Sequence, residues 1–268
     1  MLNAASAERR LPAQGLGLPL VFHPRLDSTN SLAAELATAG APHGTLVVAE
    51  EQTAGRGRHG RGWSTPPGSA LAFSLILRPA LPGGEARSRQ LAAFNLVGAV
   101  ALAEALEDLG ARPAIKWPND VLLSDRKVAG VLIEVSWVDQ AIDSLVLGVG
   151  LNVYAEAEPP EAEVDYPATS VEAAIGFRPS REDLLVQIVG RIGSHCQRID
   201  PPAIMAEVNQ RLAFCGRRVS VRSGVKTWQG VLLAIGEGGE IILDVPGEGE
   251  VRIAGSDPHL RPLDVHTG

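Results

Sequence analysis

The sequence predicts an α+β protein, in which a mixed sheet with flanking helices is followed by a small β module. Strand-like and helix-like patterns alternate as far as residue 214. Beyond that point, short alternating apolar runs are separated by glycine-rich turns, a texture typical of a small β-barrel. The length of 268 residues and the 45% of apolar residues suffice for one large domain and one small one. We therefore predict a loosely held leader (1–18), a large domain (19–214) and a β-barrel domain (215–268).

Local signals define the elements of the large domain. Leu32 and Leu36 lie four residues apart between Ser28 and Gly40, a pattern that predicts a helix with a polar N-cap and a C-terminal glycine. The other elements follow from apolar periodicity and from capping residues. They are strands at 45–49, 71–77, 114–117, 127–135 and 145–153, a long helix at 88–109, a short helix within 164–176, and helices after Ser180 and Pro202.

Charge and cysteine usage exclude several classes of protein. A net charge of −7 argues against a general binder of nucleic acid or of anionic membranes. Cys196 and Cys215 form neither a disulfide framework nor a metal spacing, which fits a reducing cytoplasm. The sequence has no run of about 18 uninterrupted apolar residues, so we predict no membrane-spanning helix. The N-terminus lacks the apolar core of a signal peptide.

One short segment concentrates positive charge in this acidic chain. Gly55 to Arg61 contains three arginines, one histidine and three glycines. Glycine permits close approach of a ligand to the backbone, and the planar guanidinium group binds phosphate or carboxylate oxygens with two hydrogen bonds. We call residues 55–63 the arginine loop and predict that it is a mobile cradle for an anion with several oxygens. A solvated basic surface loop is the alternative that composition leaves open.

A second cluster of polar residues lies between residues 115 and 135. Lys116 and Lys127 are separated by a Pro-Asn-Asp turn and a Ser-Asp turn. Asn119 and Asp120 are either simple turn formers or ligand contacts, with Asp120 holding Mg²⁺ beside substrate phosphates. Lys127 precedes the small residues Ala129 and Gly130, which would let a ligand lie against the backbone; the alternative is an exposed lysine that protects a sheet edge.

Two further motifs have a structural and a functional interpretation. The glycines of the run 147–153 indicate either a bulge or the close approach of a ligand. Residues 28–30, Ser-Thr-Asn, form a helix N-cap, and the same exposed N–H groups suit a polar ligand. The sequence shows no Ser/His/Asp or Cys/His arrangement. This favours catalysis by positioning and charge stabilisation rather than by a covalent intermediate.

Taken in order, these motifs strongly resemble biotin protein ligase. The resemblance rests on STN at 28–30, EEQTAGRGRHGRGW at 50–63, KWPNDVLLSDRKVAGVLIE at 116–134 and GVGLN at 148–152. It covers roughly residues 20–155, and the C-terminal module fits the family's small SH3-like β-barrel. The family's loop has a basic residue where this chain has His59, and the effect of His59 stays open. Too few residues precede residue 28 for a helix-turn-helix domain, so we expect a monofunctional ligase without repressor function.

The resemblance implies a reaction in two steps. The biotin carboxylate attacks the α-phosphorus of ATP and gives biotinyl-5′-AMP and pyrophosphate. A lysine of a biotin carboxyl carrier domain then attacks this mixed anhydride and releases AMP. Ordering of the arginine loop would retain the adenylate between the two steps. The implied catalytic residues are Lys127 and Arg58, and Asp120 is the implied Mg²⁺ ligand.

The resemblance also assigns binding residues. Those implied for biotin are Ser28, Thr29, Asn30, Gln52, Gly55, Arg56, Gly57, Arg58, Lys127, Gly130, Gly148 and Gly150. Those implied for ATP are Arg61, Trp63, Lys116, Asn119, Asp120 and Asn152.

Three alternatives stay open at this point. A lipoate or octanoate ligase would share the fold, a non-catalytic sensor would bind biotin without adenylation, and a DNA-binding regulator would need a basic surface. The implied partner is the carrier protein or domain of acetyl-CoA carboxylase or a related carboxylase, with no DNA and no membrane. The strand content permits a homodimer without indicating one.

Overall fold

The protein is described here from a computed structural model, which covers residues 1–11, 16–197, 199–254 and 258–263. The side chain of His59, whose effect the sequence leaves open, lies outside the described part. The α-helices are α1 (Ala4–Arg10), α2 (Thr29–Thr38), α3 (Gly84–Glu107), α4 (Val171–Ile175), α5 (Arg181–Gln197) and α6 (Pro201–Gln210). The strands are β1 (Leu20–His23), β2 (Leu46–Ala49), β3 (Ala70–Leu77), β4 (Pro113–Lys116), β5 (Asp120–Leu123), β6 (Arg126–Val138), β7 (Ala141–Asn152), β8 (Arg218–Ser223), β9 (Lys226–Ile235), β10 (Ile241–Val245), β11 (Gly249–Ile253) and β12 (Pro258–Pro262).

The first seven strands form one mixed sheet in the order β1-β2-β3-β7-β6-β5-β4. Only β1 and β2 are parallel among these pairs, and the remaining neighbours are antiparallel. The prediction of a mixed sheet with flanking helices is confirmed. Sequence analysis did not separate β5 from the two turns that flank it. The second turn contains Ser124 and Asp125 in the left-handed region, with φ of 51° and 58°, which short polar residues tolerate well.

The two faces of the sheet carry different layers. Side chains alternate along a strand, so Leu147, Val149 and Leu151 of β7 point to the main core with α3 and α5. Val146 points to the opposite face and packs with Ala33 of α2. That opposite face also carries the arginine loop. One face of the sheet therefore packs against the main core, and the other, which we call the open face, is accessible to a ligand.

The apolar character of α3 is explained by its position in the core. Its 24 residues make it long and apolar enough to cross a membrane by length and composition alone. Two thirds of its most apolar window is buried against the sheet and α5. Gly98 lies where a methyl group would approach Val131 of β6 to within 2.9 Å, so helix and sheet pack closely. The hydrophobicity of α3 is therefore that of a core helix.

The N-terminal segment differs from the prediction of a loosely held leader. Residues 4–10 form α1, and Leu2, Ala7, Leu11 and Leu16 are buried in the main core. The backbone N–H of Leu2 donates to the Glu50 carboxylate over 2.8 Å. Residues 12–15 of the predicted leader lie outside the described residues, and the four buried residues are too widely spaced to give a clear periodic signal in the sequence.

The C-terminal module is a five-stranded antiparallel sheet in the order β11-β10-β9-β8-β12. It is joined to the large domain through Asn209, whose side-chain amide makes two hydrogen bonds with the backbone of Ile235, and through Trp117, whose Nε1 donates to the Gly239 carbonyl over 2.9 Å. The small β module that the sequence predicts is thus present as a sheet. These bonds hold its β12 strand beside the open face of the large sheet.

Candidate active site

All eighteen residues that the sequence analysis assigns to a site line one cavity of about 660 Å³. Its floor is the open face of the sheet, and its walls are the start of α2, the arginine loop and strand β12. The sequence-predicted residues in the lining are Ser28, Thr29, Asn30, Gln52, Gly55, Arg56, Gly57, Arg58, Arg61, Trp63, Lys116, Asn119, Asp120, Lys127, Gly130, Gly148, Gly150 and Asn152. Four separate motifs therefore converge on one place, which the alternative of independent surface features does not explain.

Glycines make the floor of the cavity flat. Gly130 of β6 and Gly150 of β7 are direct cross-strand partners. A methyl group on Gly150 would lie 2.3 Å from the indole ring of Trp63, so only glycine leaves room for that ring. The indole covers this part of the floor, and its Nε1 is buried without a hydrogen-bond partner among the described residues. The unpartnered donor indicates an incomplete polar environment at this point.

Hydrogen bonds connect the start of α2 with residues 52 and 65, which lie on either side of the arginine loop. The backbone N–H of Thr29 donates to Oε1 of Gln52 over 2.8 Å, and Nε2 of Gln52 donates to Thr65 over 3.0 Å. The hydroxyl of Ser74 lies 2.6 Å from Oδ1 of Asn30. Ser28 occupies the N-cap position, but its side chain makes no capping bond. Ser28 therefore takes the predicted N-cap position, but the side chain of Gln52, and not that of Ser28, accepts from a backbone N–H group of the first turn.

We expect Gly148→Ala to destabilise the protein. The added methyl group would lie 1.9 Å from Oδ1 of Asn30, which is buried and held by Ser74. Relieving such an overlap in a packed site costs about 2 kcal/mol. Urea unfolding measures this change. Gly190→Ala is the matched control, because no described atom other than the local backbone of α5 and the two neighbouring residues lies within 4 Å of its added methyl group. There the higher helix propensity of alanine stabilises by up to about 1 kcal/mol. Equal effects of both variants would contradict the expected packing.

The arginine loop is closed by its own backbone and by partners on two sides. Gly57 N–H donates to the Arg61 carbonyl and Trp63 N–H to the Gly55 carbonyl, both over 2.8 Å, around a 3₁₀ turn at Arg58–Gly60. The guanidinium of Arg61 lies 3.1 Å from the Asp165 carboxylate and 3.3 Å from Nδ1 of His259. These bonds place the loop across the mouth of the cavity. Its predicted mobility stays a prediction.

A buried carboxylate, that of Asp120, lies between two lysines at the start of β5. Oδ1 of Asp120 is 2.6 Å from Nζ of Lys127, and Oδ2 is 3.1 Å from Nζ of Lys116. Burial alone would raise the pKa of Asp120, but Lys127 and Lys116 outweigh it and bring the pKa to about 2. Burial lowers the pKa of Lys116, and Asp120 partly opposes this effect. Asp120 therefore fixes the positions of two cations and leaves the cluster with one net positive charge.

The arrangement does not favour Asp120 as a ligand of protein-held Mg²⁺. Both of its oxygens already accept from ammonium groups, so Asp120 would have to exchange or share one of these partners to bind Mg²⁺. Among the residues that the structure describes, no group of three His, Cys, Asp or Glu side chains could hold a metal ion. The prediction that Asp120 is a metal ligand is thus not supported by its contacts. The residues fit better a metal ion that arrives on the phosphates of a nucleotide.

Asn119 and Asn152 stabilise the backbone that frames this cluster. The side-chain amide of Asn119 donates to the Val131 carbonyl over 2.7 Å, and that of Asn152 donates to the Thr169 carbonyl over 3.1 Å. Their predicted contacts with ATP stay predictions.

Sequence analysis missed part of the cavity wall. Tyr166 and Arg261 both line it: the ring of Tyr166 lies 5.0 Å from Nζ of Lys116 and 5.5 Å from the Arg261 guanidinium. Burial raises the pKa of Tyr166 to about 12, with Asp125 as the next cause, so this residue stays neutral at physiological pH. Arg261 and His259 come from β12, more than 100 residues from the nearest predicted motif. No local pattern in the sequence connects them with the site.

Comparison with known proteins agrees with this geometry. The model of the biotin/lipoate A/B protein ligase family matches residues 22–152. A biotin–[acetyl-CoA-carboxylase] ligase of Paracoccus denitrificans is 35% identical over 234 residues, which are 85% of this chain and 95% of that protein. The chain belongs to the biotin/lipoate A/B protein ligase family. The matched range contains every predicted site residue.

Other members of the biotin/lipoate A/B protein ligase family extend the comparison. The bifunctional ligase/repressor BirA of Bacillus subtilis is 37% identical over 180 residues, which are 67% of this chain. Those residues span about half, 54%, of that longer relative. The solved biotin protein ligase of Aquifex aeolicus, in complex with biotin and ATP, superposes with a TM-score of 0.77 at 30% identity and covers 91% of this chain and 98% of its own.

Proposed function

We propose that the chain is an ATP-dependent biotin protein ligase, which forms biotinyl-5′-AMP and transfers biotin to a lysine of a carrier domain. The observation that carries the proposal is the single cavity in which a flat glycine floor, a polar helix start and a Lys-Asp-Lys cluster lie together. An apolar bicyclic ligand with a polar urea group fits the first two, and a carboxylate reacting with a phosphate fits the third. Family membership and the complexes of the Aquifex aeolicus relative with biotin and ATP support the same reading.

The biotin side of the proposed site is the start of α2. Ser28, Thr29 and Gln52 offer hydroxyl and amide groups that can both donate and accept, as the urea group of biotin requires. Ser28 and Thr29 are buried, so their polar atoms are shielded from competing water. Gly148 and Gly150 form the floor along which the ligand would lie.

The reacting groups meet at the Lys-Asp-Lys cluster. Lys127 lies between the glycine floor and Asp120, with its Nζ 5.4 Å from the Trp63 ring centroid. A cation fixed by a buried carboxylate stabilises the charge that develops on the α-phosphate as the biotin carboxylate attacks. Arg58, on the facing loop, supplies a second positive charge at the same junction, and Lys116 and Arg61 lie toward the phosphates that leave as pyrophosphate. When bound, ATP would bring Mg²⁺ on its own phosphates.

ATP–pyrophosphate exchange tests this proposal. The purified protein with ATP and Mg²⁺ is expected to exchange pyrophosphate into ATP only when biotin is added. Pyrophosphate enters ATP through the reverse of the adenylation step, which requires biotinyl-5′-AMP. Lipoate and octanoate serve as matched alternatives, since enzymes for either would share the fold. Exchange with lipoate in place of biotin would show that lipoate is the substrate. Tight biotin binding without exchange would indicate a non-catalytic sensor.

The proposal includes features that rest on the family rather than on the geometry. The acceptor is the biotin carrier domain of acetyl-CoA carboxylase or a related carboxylase, and the reaction takes place in the cytoplasm. That neither DNA nor a membrane is a partner is proposed from the net charge of −7 and not from the family. We propose residues 19–214 as the catalytic domain and residues 215–268 as a domain whose five-stranded sheet belongs to an SH3-like barrel. A homodimer also stays a prediction.

A further inference from the structure

Glu134 is a charged residue within the apolar stretch 128–135 of β6, and both of its oxygens have partners. It lies on the open face of the sheet in β6, on the same side as Gly130, four residues earlier. One carboxylate oxygen accepts from Nδ2 of Asn30 over 2.8 Å. The other forms an ion pair with the guanidinium of Arg56 in the arginine loop. Glu134 therefore links the helix start to the loop across the floor of the site.

Asn30 is the rigid end of this link. Its side chain is buried, with 4% of its surface exposed. Its oxygen lies 2.6 Å from the Ser74 hydroxyl and fills the space that glycine leaves at Gly148. Because the oxygen is held on the sheet, the amide nitrogen has one remaining direction, and it points at Glu134. Asn30 thus orients the carboxylate that receives Arg56.

Arg56 is the movable end of the link. Its side chain is about half exposed, and it reaches Ser31 of α2 over 3.4 Å in addition to Glu134. The resemblance implies that Arg56 is a biotin contact, but its charge is already compensated by Glu134. A guanidinium held in this way positions the backbone between Gly55 and Gly57, which lines the cavity.

We propose that Glu134 is a positioning residue, which orders residues 55–57 of the arginine loop through Arg56 before any ligand binds. The proposal rests on the proposed function and deepens it. A segment that is ordered in advance lowers the entropy lost when biotin binds. Arg61, at the other end of the arginine loop, has its own partners in Asp165 and His259, so the two ends of the loop are held independently. Arg56 would then act as an anchor of the loop rather than as a ligand of the substrate carboxylate.

Glu134→Gln tests this role, because glutamine keeps the size and one acceptor oxygen but removes the charge. We expect trypsin to cleave the ligand-free protein after Arg58 and Arg61 about fivefold faster, as expected for losing a partly exposed ion pair and a charged hydrogen-bond acceptor. In biotin-dependent exchange, KM for biotin is expected to rise by about the same factor with kcat nearly unchanged, since the reacting groups are untouched. A purely structural role would instead lower the thermal midpoint without this split.

Two further variants make the result decisive. Asp143→Asn removes a carboxylate that pairs with Arg78 on the same sheet, far from the loop, and should change neither cleavage nor KM. Arg56→Gln added to Glu134→Gln should cause no further loss, because the two residues act through one pair. Unchanged cleavage and unchanged KM in Glu134→Gln would overturn the proposal. If the unmodified chain shows no biotin-dependent exchange, the proposed function fails, while the cleavage rates still decide the role of Glu134.

Discussion

Replacing Lys127 by methionine is expected to lower biotin-dependent ATP–pyrophosphate exchange about 100- to 1000-fold, the range measured when one preorganised charge-stabilising donor is removed. The Nζ of Lys127 is held 2.6 Å from Asp120 and faces the glycine floor, so its charge is fixed at the proposed reacting junction. Methionine keeps most of the length and the apolar stem without the charge. Binding of biotin, followed by calorimetry, should change only a few-fold, because the urea contacts lie at the start of α2.

The controls separate charge from folding. Lys226→Met removes an exposed lysine at the start of β9 and should leave exchange intact. Lys127→Arg keeps the charge but moves it, and is expected to retain more activity than Lys127→Met. Asp120 keeps Lys116 as a partner in both variants, so the free energy of unfolding should fall by only about 1 kcal/mol. Exchange above a tenth of the normal rate in Lys127→Met would contradict a role in charge stabilisation.

The central elements were predictable because their signals are local. The glycine-terminated helix α2, the long α3 and the strands β3, β6 and β7 each carry a periodicity that tertiary packing reinforces. The convergence of four motifs on one cavity was expected from the family resemblance, which implies that residues far apart in the chain bind the same substrates. The spacing of the motifs along the sequence does not show this.

The residues that were missed depend on long-range contacts. Ser74 and Glu134 interrupt apolar strands, and such interruptions were the available signal for a polar network on the open face. Tyr166 and Arg261 gave no such signal, because only the docking of β12 beside the large sheet places them together. The burial of Leu2 also involves long-range contacts, because its backbone N–H donates to Glu50 and its side chain packs in the main core.

Asp120→Asn is expected to cause the largest loss of stability among these variants, about 3 kcal/mol at neutral pH. Asp120 is buried between two ammonium groups, and only 5% of the Lys116 side chain is exposed. Asparagine fits the same space but leaves that lysine without a counter-charge. Because burial already lowers the pKa of Lys116, loss of the carboxylate should lower it further, so the penalty shrinks as the pH rises and Lys116 becomes neutral.

The lowered pKa of Asp120 determines how its contribution to stability changes with pH. The pKa of Asp120 is about 2 in the folded chain and 3.8 in its ordinary state. A carboxylate with a lowered pKa stabilises the fold above its ordinary pKa, and this contribution disappears as the pH falls through the folded value. The difference in unfolding free energy between the unmodified chain and Asp120→Asn should therefore be constant from about pH 5 to neutral pH and shrink between about pH 4 and pH 2.

Urea unfolding across this pH range measures the difference, with Asp125→Asn as the matched control. Asp125 lies in the neighbouring turn, its ion pair with Arg217 is largely exposed, and asparagine tolerates its φ of 58°. That variant should change stability by less than about 0.5 kcal/mol at any pH. If Asp120→Asn behaved in the same way, the two lysines would not depend on a buried carboxylate, and the positive charge at the reacting junction would need another means of support.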